Sequence, residues 1–154
     1  TQRTPLVACG DVLSWEEAEE HLKNHGVDSI MLGRGALIKP WLFTEIEERR
    51  HWDISATERL DLMKDFTHYG LEHWGADARG VETTRRFLLE WLSFTCRYVP
   101  IGLLEVMPPK LNWRPRPYIG RNDLETKLSS PDSKDWIELT EMMLGKVPDA
   151  FNFT

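Results

Sequence analysis

Val27-Asp-Ser-Ile-Met-Leu-Gly-Arg-Gly-Ala-Leu-Ile-Lys-Pro-Trp-Leu-Phe43 is the stretch that decides how this chain is read. Ser29–Leu32 is a short apolar run and reads as a buried strand. Gly33-Arg34-Gly35 ends it. Pro40 then sits where a helix can begin, because its missing N–H is unpaired at the first helical position anyway. A strand, a glycine turn and a helix N-terminus together form the geometry that holds a phosphate. The glycines let backbone N–H groups approach the anion, and Arg34 adds a forked cation. Taken alone, Gly-Arg-Gly is equally an ordinary βα turn with an exposed arginine.

The residues before it complete the unit. Leu6-Val-Ala8 reads as a second buried strand, and Cys9-Gly10-Asp11 as the turn that ends it. Ser14 and Glu17 have capping-box spacing at the start of a helix striped by Ala18 and Leu22, and Gly26 suits its end. Strand, helix and strand imply a parallel pair. A further helix over about 40–50 is predicted to pack Trp41, Leu42 and Ile46 on the sheet. Two parallel strands neither close a barrel nor cover both faces of a sheet. The first fifty residues therefore look like the tail end of a larger α/β domain. The chain opens without a Met, as a piece of a longer protein would.

From Ser55 the pattern turns helical, with residues 53–148 as a helical domain and 149–154 as a tail. Ser55 and Glu58 form another capping box, followed by Leu62, Met63, Phe66, Tyr69 and His73 at helical spacing. Gly75 and Gly80 are expected to bracket a turn. The longest helix should run from Val81 to about Tyr98, with Phe87, Leu88, Trp91, Leu92 and Thr95 on one face. Leu111–Arg121 interleaves arginines, prolines and aromatics and reads as an extended loop. Asp123 suits the start of a short helix, and Ser130-Pro131 the start of one reaching Gly145.

Composition sets limits. The formal net charge of −6 gives no global case for nucleic acid, so any RNA contact must be a local basic patch. Cys9 and Cys96, the two cysteines, have neither metal-ligand spacing nor a disulfide framework, which favours a reducing compartment. His51, His68 and His73 lack ligand geometry, so no metal is expected. No apolar run is long enough for a bilayer. The acidic runs Glu16-Glu17, Glu19-Glu20 and Glu45-Glu47-Glu48 read as solvated helix faces. Trp41, Trp74, Trp91 and Trp136 read as core, and Trp113 as the aromatic inside the basic loop.

Two glycine turns, Cys9-Gly10-Asp11 and Gly33-Arg34-Gly35, close consecutive parallel strands. In (β/α)8 barrels the loops after the last two strands form the usual phosphate site. At this point the sequence resembles the tRNA-dihydrouridine synthase family, and within it the eukaryotic tRNA-dihydrouridine(47) branch. The resemblance rests on Ala8–Val12 and Leu32–Phe43. It continues through Arg50–Ile54, Tyr69–Trp74, Arg85–Leu92 and Arg97–Pro100, and so covers nearly the whole chain.

The resemblance implies a fold that is α/β plus all-α: residues 1–52 would be the last two βα units of a (β/α)8 barrel, whose N-terminal part is a required partner, followed by the helical domain. It further implies an NADPH-dependent oxidoreductase that binds FMN at the top of that barrel and grips tRNA with the helical domain. Cys9, Gly10, Asp11, Gly33 and Arg34 match the family's flavin-phosphate positions, although Cys9 stands where Asn is commoner. The family's proton-donating cysteine has no match here, because Cys9 occupies the phosphate turn and Cys96 lies mid-helix. The chain alone is expected to be inactive, and the full-length enzyme to work in the cytoplasm or nucleus.

RNA contact is expected from Arg85, Arg86, Arg97, Lys110, Arg114, Arg116 and Arg121, seven cations in thirty-seven residues with Glu82, Glu90 and Glu105 as the acids nearby. The other reading is that these cations pair with acidic runs and solubilise the domain. Two alternatives stand beside the enzyme: another flavin barrel oxidoreductase, and a helical RNA- or protein-interaction module without chemistry.

Overall fold

The computed structural model describes residues 4–149 and 151–153. It is mostly helical, with a two-stranded parallel sheet, and it divides into two compact units. One comprises Thr1–Asp53 with Tyr98–Pro115, the other Ile54–Arg97 with Arg116–Thr154. The segment 98–115 thus returns to the first unit, a step that the linear reading of 1–52 followed by 53–148 does not contain.

In the first unit, β1 (Val7–Cys9) pairs with β2 (Ser29–Met31), Val7 opposite Ser29 and Cys9 opposite Met31. The helix between them, α1 (Trp15–Asn24), begins as its sequence says: the Ser14 hydroxyl accepts the Glu17 N–H at 3.3 Å. Glu17 reaches one residue further back than a reciprocal box requires and takes the N–H of Leu13 at 2.9 Å. The strands are not buried as expected. Val7 is 59% and Met31 57% exposed, because alternate side chains of this sheet face away from α1.

Two helices replace the single one predicted over 40–50. The first, α2 (Arg34–Ile38), starts directly after Gly33, and the second, α3 (Leu42–Glu48), has Trp41 as its N-cap. Pro40 therefore lies in the turn between them and not at a first helical position. The helix α3 packs on α1 and α2 through Leu42 and Glu45, both fully buried, while Trp41 meets Tyr98 edge-on at 4.9 Å. Glu45 was read as solvated; the structure overturns this, because Glu45 has a buried cation to neutralise it.

The second unit is a helical assembly of α4 (Ala56–Trp74), α5 (Ala78–Thr95), α6 (Asp123–Leu128) and α7 (Ser133–Leu144). Its core is Ala56, Leu60, Met63, Leu88, Leu89, Leu92, Leu128 and Leu139, with Phe66, Trp91 and Trp136 packed against it. Ser55 and Glu58 form the reciprocal capping box on α4. Gly80 lies inside α5 and not in a turn. Asp77 is the cap and accepts the Gly80 N–H at 2.8 Å. Gly80 is needed there because a Cβ would stand 2.0 Å from the Gly75 carbonyl oxygen. α5 ends at Thr95 with Cys96 as its C-cap, so Cys96 is not mid-helix, and burial pushes its thiol pKa up. The cap of α7 is Asp132 and not Ser130, whose carbonyl instead accepts the Trp136 indole N–H at 2.7 Å. Phe87 is half exposed and stacks flat on Trp74, so neither ring is core. Among the described residues no helix is long and apolar enough to cross a membrane, and no group of three His, Cys, Asp or Glu is placed to hold a metal.

Candidate functional site

The strand register fixes where the glycine turns meet. With Cys9 opposite Met31 in a parallel pair, the chain leaves both strands at the same end and level. Gly10-Asp11 and Leu32-Gly33 are the residues that follow the last pair. Between them opens a cleft of about 580 Å³ lined by Cys9, Gly10, Asp11, Met31, Leu32, Gly33, Arg34, Gly35 and Leu111. All five residues singled out as flavin-phosphate positions line this one cleft. The Arg34 guanidinium pairs with the Asp11 carboxylate across it, both groups largely exposed.

The cleft has the features of an anion cradle. α2, like α3, has no side-chain cap on its N-terminus, and it begins on Gly33 at the cleft wall. A Cβ added at Gly33 would meet nothing within 4 Å, so the space before this turn is open. The other side is closed. A Cβ on Gly35 would stand 2.1 Å from the Val12 carbonyl oxygen, so the two turns touch backbone to backbone only because residue 35 is glycine.

The same unit buries a charge that the sequence spacing does not reveal. Lys39 is 1% exposed and donates to Glu45 at 2.5 Å and to the Leu13 carbonyl at 3.1 Å. The Glu45 carboxylate also accepts the Trp52 N–H at 3.0 Å. Burial lowers the Lys39 pKa, and Glu45 works against that shift. A Lys six residues before a Glu was the available signal, but the expected helix boundary at Pro40 placed the two on different elements. Leu111 also went unnoticed in the cleft wall, since it comes from the returning segment 98–115.

The seven basic residues separate by surroundings. Arg85 is 3% exposed and is spent internally: it donates to Thr140 Oγ1 at 2.7 Å and to the carbonyls of Leu144 and Gly145 at 3.2 and 2.7 Å. It closes the C-terminus of α7, and the expectation that it contacts RNA is corrected accordingly. Arg86 is exposed but pairs with Glu82 at 3.1 Å and lies over the Phe151 ring. Arg121 forks onto the buried Glu125 carboxylate, with a shortest contact of 2.8 Å. Arg97 is half-buried. Lys110, Arg114 and Arg116 are exposed, on irregular backbone beside the exposed Trp113, and none makes an ion pair among the described residues.

A family model described as dihydrouridine synthase (Dus) matches residues 1–87, more than half of the chain. The chain belongs to the dihydrouridine synthase family. Among its relatives, the tRNA-dihydrouridine(47) synthase-like proteins of Xenopus tropicalis and Homo sapiens are 62% and 61% identical over 149 residues, covering 97% of this chain and 23% of theirs. That of Arabidopsis thaliana is 54% identical over 154 residues, 99% of this chain and 22% of its own. The chain thus spans about a quarter of the length of the curated relatives it matches. Within this dihydrouridine synthase chain the family match takes in the whole cleft except Leu111.

Proposed function

We propose that this chain is the C-terminal part of an FMN- and NADPH-dependent tRNA-dihydrouridine synthase, which reduces a uridine of tRNA to dihydrouridine. On this reading the first unit carries the last βα units of a (β/α)8 barrel whose remainder comes from the N-terminal part of the full-length protein. The rest of the chain, residues 53–148, binds tRNA. The single observation that carries it is the cleft, where two glycine turns, level on parallel strands, bring Arg34 and open backbone to one place. The names of the relatives, tRNA-dihydrouridine(47) synthases linked to NAD(P)(+), point the same way.

The residues fit a flavin phosphate. The turns at Gly10 and Gly33 offer backbone N–H groups, Arg34 supplies the cation, Asp11 orients Arg34, and Cys9 lies on the wall. When bound, FMN supplies hydride transfer to the uracil ring; this chain's part is to hold and orient the phosphate end. The free cations Lys110, Arg114 and Arg116 are the residues of choice for tRNA phosphates. The prolines around the arginines keep that segment extended at low ordering cost. The compartment that goes with this reading is the cytoplasm or nucleus, where tRNA is found.

The test uses the full-length protein. It should carry flavin absorbance and form dihydrouridine in tRNA, and Arg34→Ala should lose flavin. Arg114→Ala/Arg116→Ala should weaken all tRNAs alike and lower the slope of affinity against salt by about two counterions. Unchanged flavin content in the first variant, or unchanged affinity and slope in the second, would remove the corresponding residues from the site.

A further inference from the structure

We propose that the buried Lys39–Glu45 pair is a positioning element for the flavin-phosphate site, holding the two glycine turns at a fixed separation. This rests on the flavin reading above. Lys39 does two things at once. Its backbone N–H closes α2 on the Gly35 carbonyl at 2.8 Å, at the far end of the helix that carries Arg34. Its side chain holds the Leu13 carbonyl, just beyond the other turn, at 3.1 Å. Leu13 is two residues beyond Asp11, and its N–H is held from the opposite side by Glu17 at 2.9 Å. Leu13, which anchors the first turn, is therefore held at both its N–H and its C=O, the second grip coming from the residue that caps the helix begun at the second turn.

The surface contact between the turns cannot substitute for this. The Arg34 and Asp11 side chains are 53% and 40% exposed, so water and salt weaken their pairing, and a bound phosphate would compete for Arg34. Lys39 and Glu45 are 1% and 0% exposed. Burying such a pair costs several kcal/mol per ion, and apolar residues of similar volume often serve stability as well or better. What apolar residues lack is a donor aimed at the Leu13 carbonyl.

That difference is the basis of the experiment. In the full-length protein, Lys39→Met/Glu45→Leu replaces the pair by apolar volume. The apoprotein's affinity for FMN is read by quenching of flavin fluorescence, alongside the thermal midpoint. The expected result is a midpoint close to wild type with FMN affinity at least tenfold weaker. Glu17→Ala releases the Leu13 N–H from a half-exposed helix position and should weaken FMN about threefold. Glu17→Gln keeps an acceptor and should restore affinity. These two variants decide the matter should the double variant not fold. Wild-type affinity in a folded double variant, or in Glu17→Ala, overturns the positioning role. Arg34→Ala separates the two ideas. Weakened FMN there with no effect of the double variant leaves the flavin site standing and removes the clamp. Absence of FMN binding by the wild-type protein removes both.

Discussion

Arg85→Met is the substitution that best separates fold from RNA. The guanidinium makes three donor contacts to Thr140, Leu144 and Gly145 while 3% exposed, and methionine keeps most of the stem's packing without any of them. Hydrogen bonds from a charged donor contribute about 1.5–3 kcal/mol each. Three of them set a gross ceiling of about 4.5–9 kcal/mol on the same scale. Desolvation opposes this: burial pushes the arginine's pKa below its usual value, with Glu141 working the other way, so methionine is spared a cost the guanidinium bears. Against that stand the last carbonyls of α7, left without their donor. The net expected loss is about 2–4 kcal/mol, a large part of an ordinary domain's stability. Urea unfolding followed by circular dichroism should show the midpoint fall with little change in slope. The slope of tRNA affinity against salt should stay at the wild-type value, because Arg85 reaches no phosphate. A loss below about 1 kcal/mol would refute the clamp as the explanation for burying an arginine here. A slope reduced by about one counterion would show that Arg85 contacts RNA after all.

Gly35→Ala puts a methyl group against the Val12 backbone oxygen and the Leu42 side chain. Overpacking of about 1–3 kcal/mol outweighs a helix-propensity gain of up to about 1 kcal/mol, so urea unfolding should show a net loss and FMN titration a weaker site. Glu125 gives a pH dependence. Its hydrogen bonds from Arg121, ahead of desolvation that opposes them, hold its pKa below the ordinary value. A depressed carboxylate contributes stability that is fully present above the unfolded pKa, about 4.3, and lost as pH falls through the lower folded value. Glu125→Gln should therefore destabilise the protein at pH 7 and show a shallower acid loss than wild type; identical pH profiles of the urea midpoint would count against the pairing.

The sequence announced most helices because their ends are written locally. Ser14, Ser55 and Gly145 each act within a turn of their own position. The turns at Gly10 and Gly33 were legible for a related reason, since two short strands joined by one helix leave a single parallel register. What escaped notice was non-local or ambiguous. Glu45 sits in an acidic run like those that are solvated, and only the fold reveals the lysine beneath it. Arg85 and Arg86 are adjacent in sequence, yet one turns inward to close α7 while the other turns outward to Glu82. Leu111 reaches the cleft from a segment about one hundred residues beyond the first turn and about eighty beyond the second, a distance no spacing rule spans.

The return of Tyr98–Pro115 to the first unit changes what a cut can do to this protein. The backbone passes from one unit to the other three times, near residues 53, 97 and 115, so each unit is sewn from two lengths of chain. No single cleavage frees either one. A nick in the exposed proline-flanked segment leaves both units joined by two unbroken threads, and truncation after residue 97 removes a wall of the cleft along with half of the helical unit. During synthesis the first unit cannot close until the chain has been made through residue 115, after α4 and α5 have already emerged. Chimeras that trade the helical unit between relatives must therefore be joined at three places and not at one.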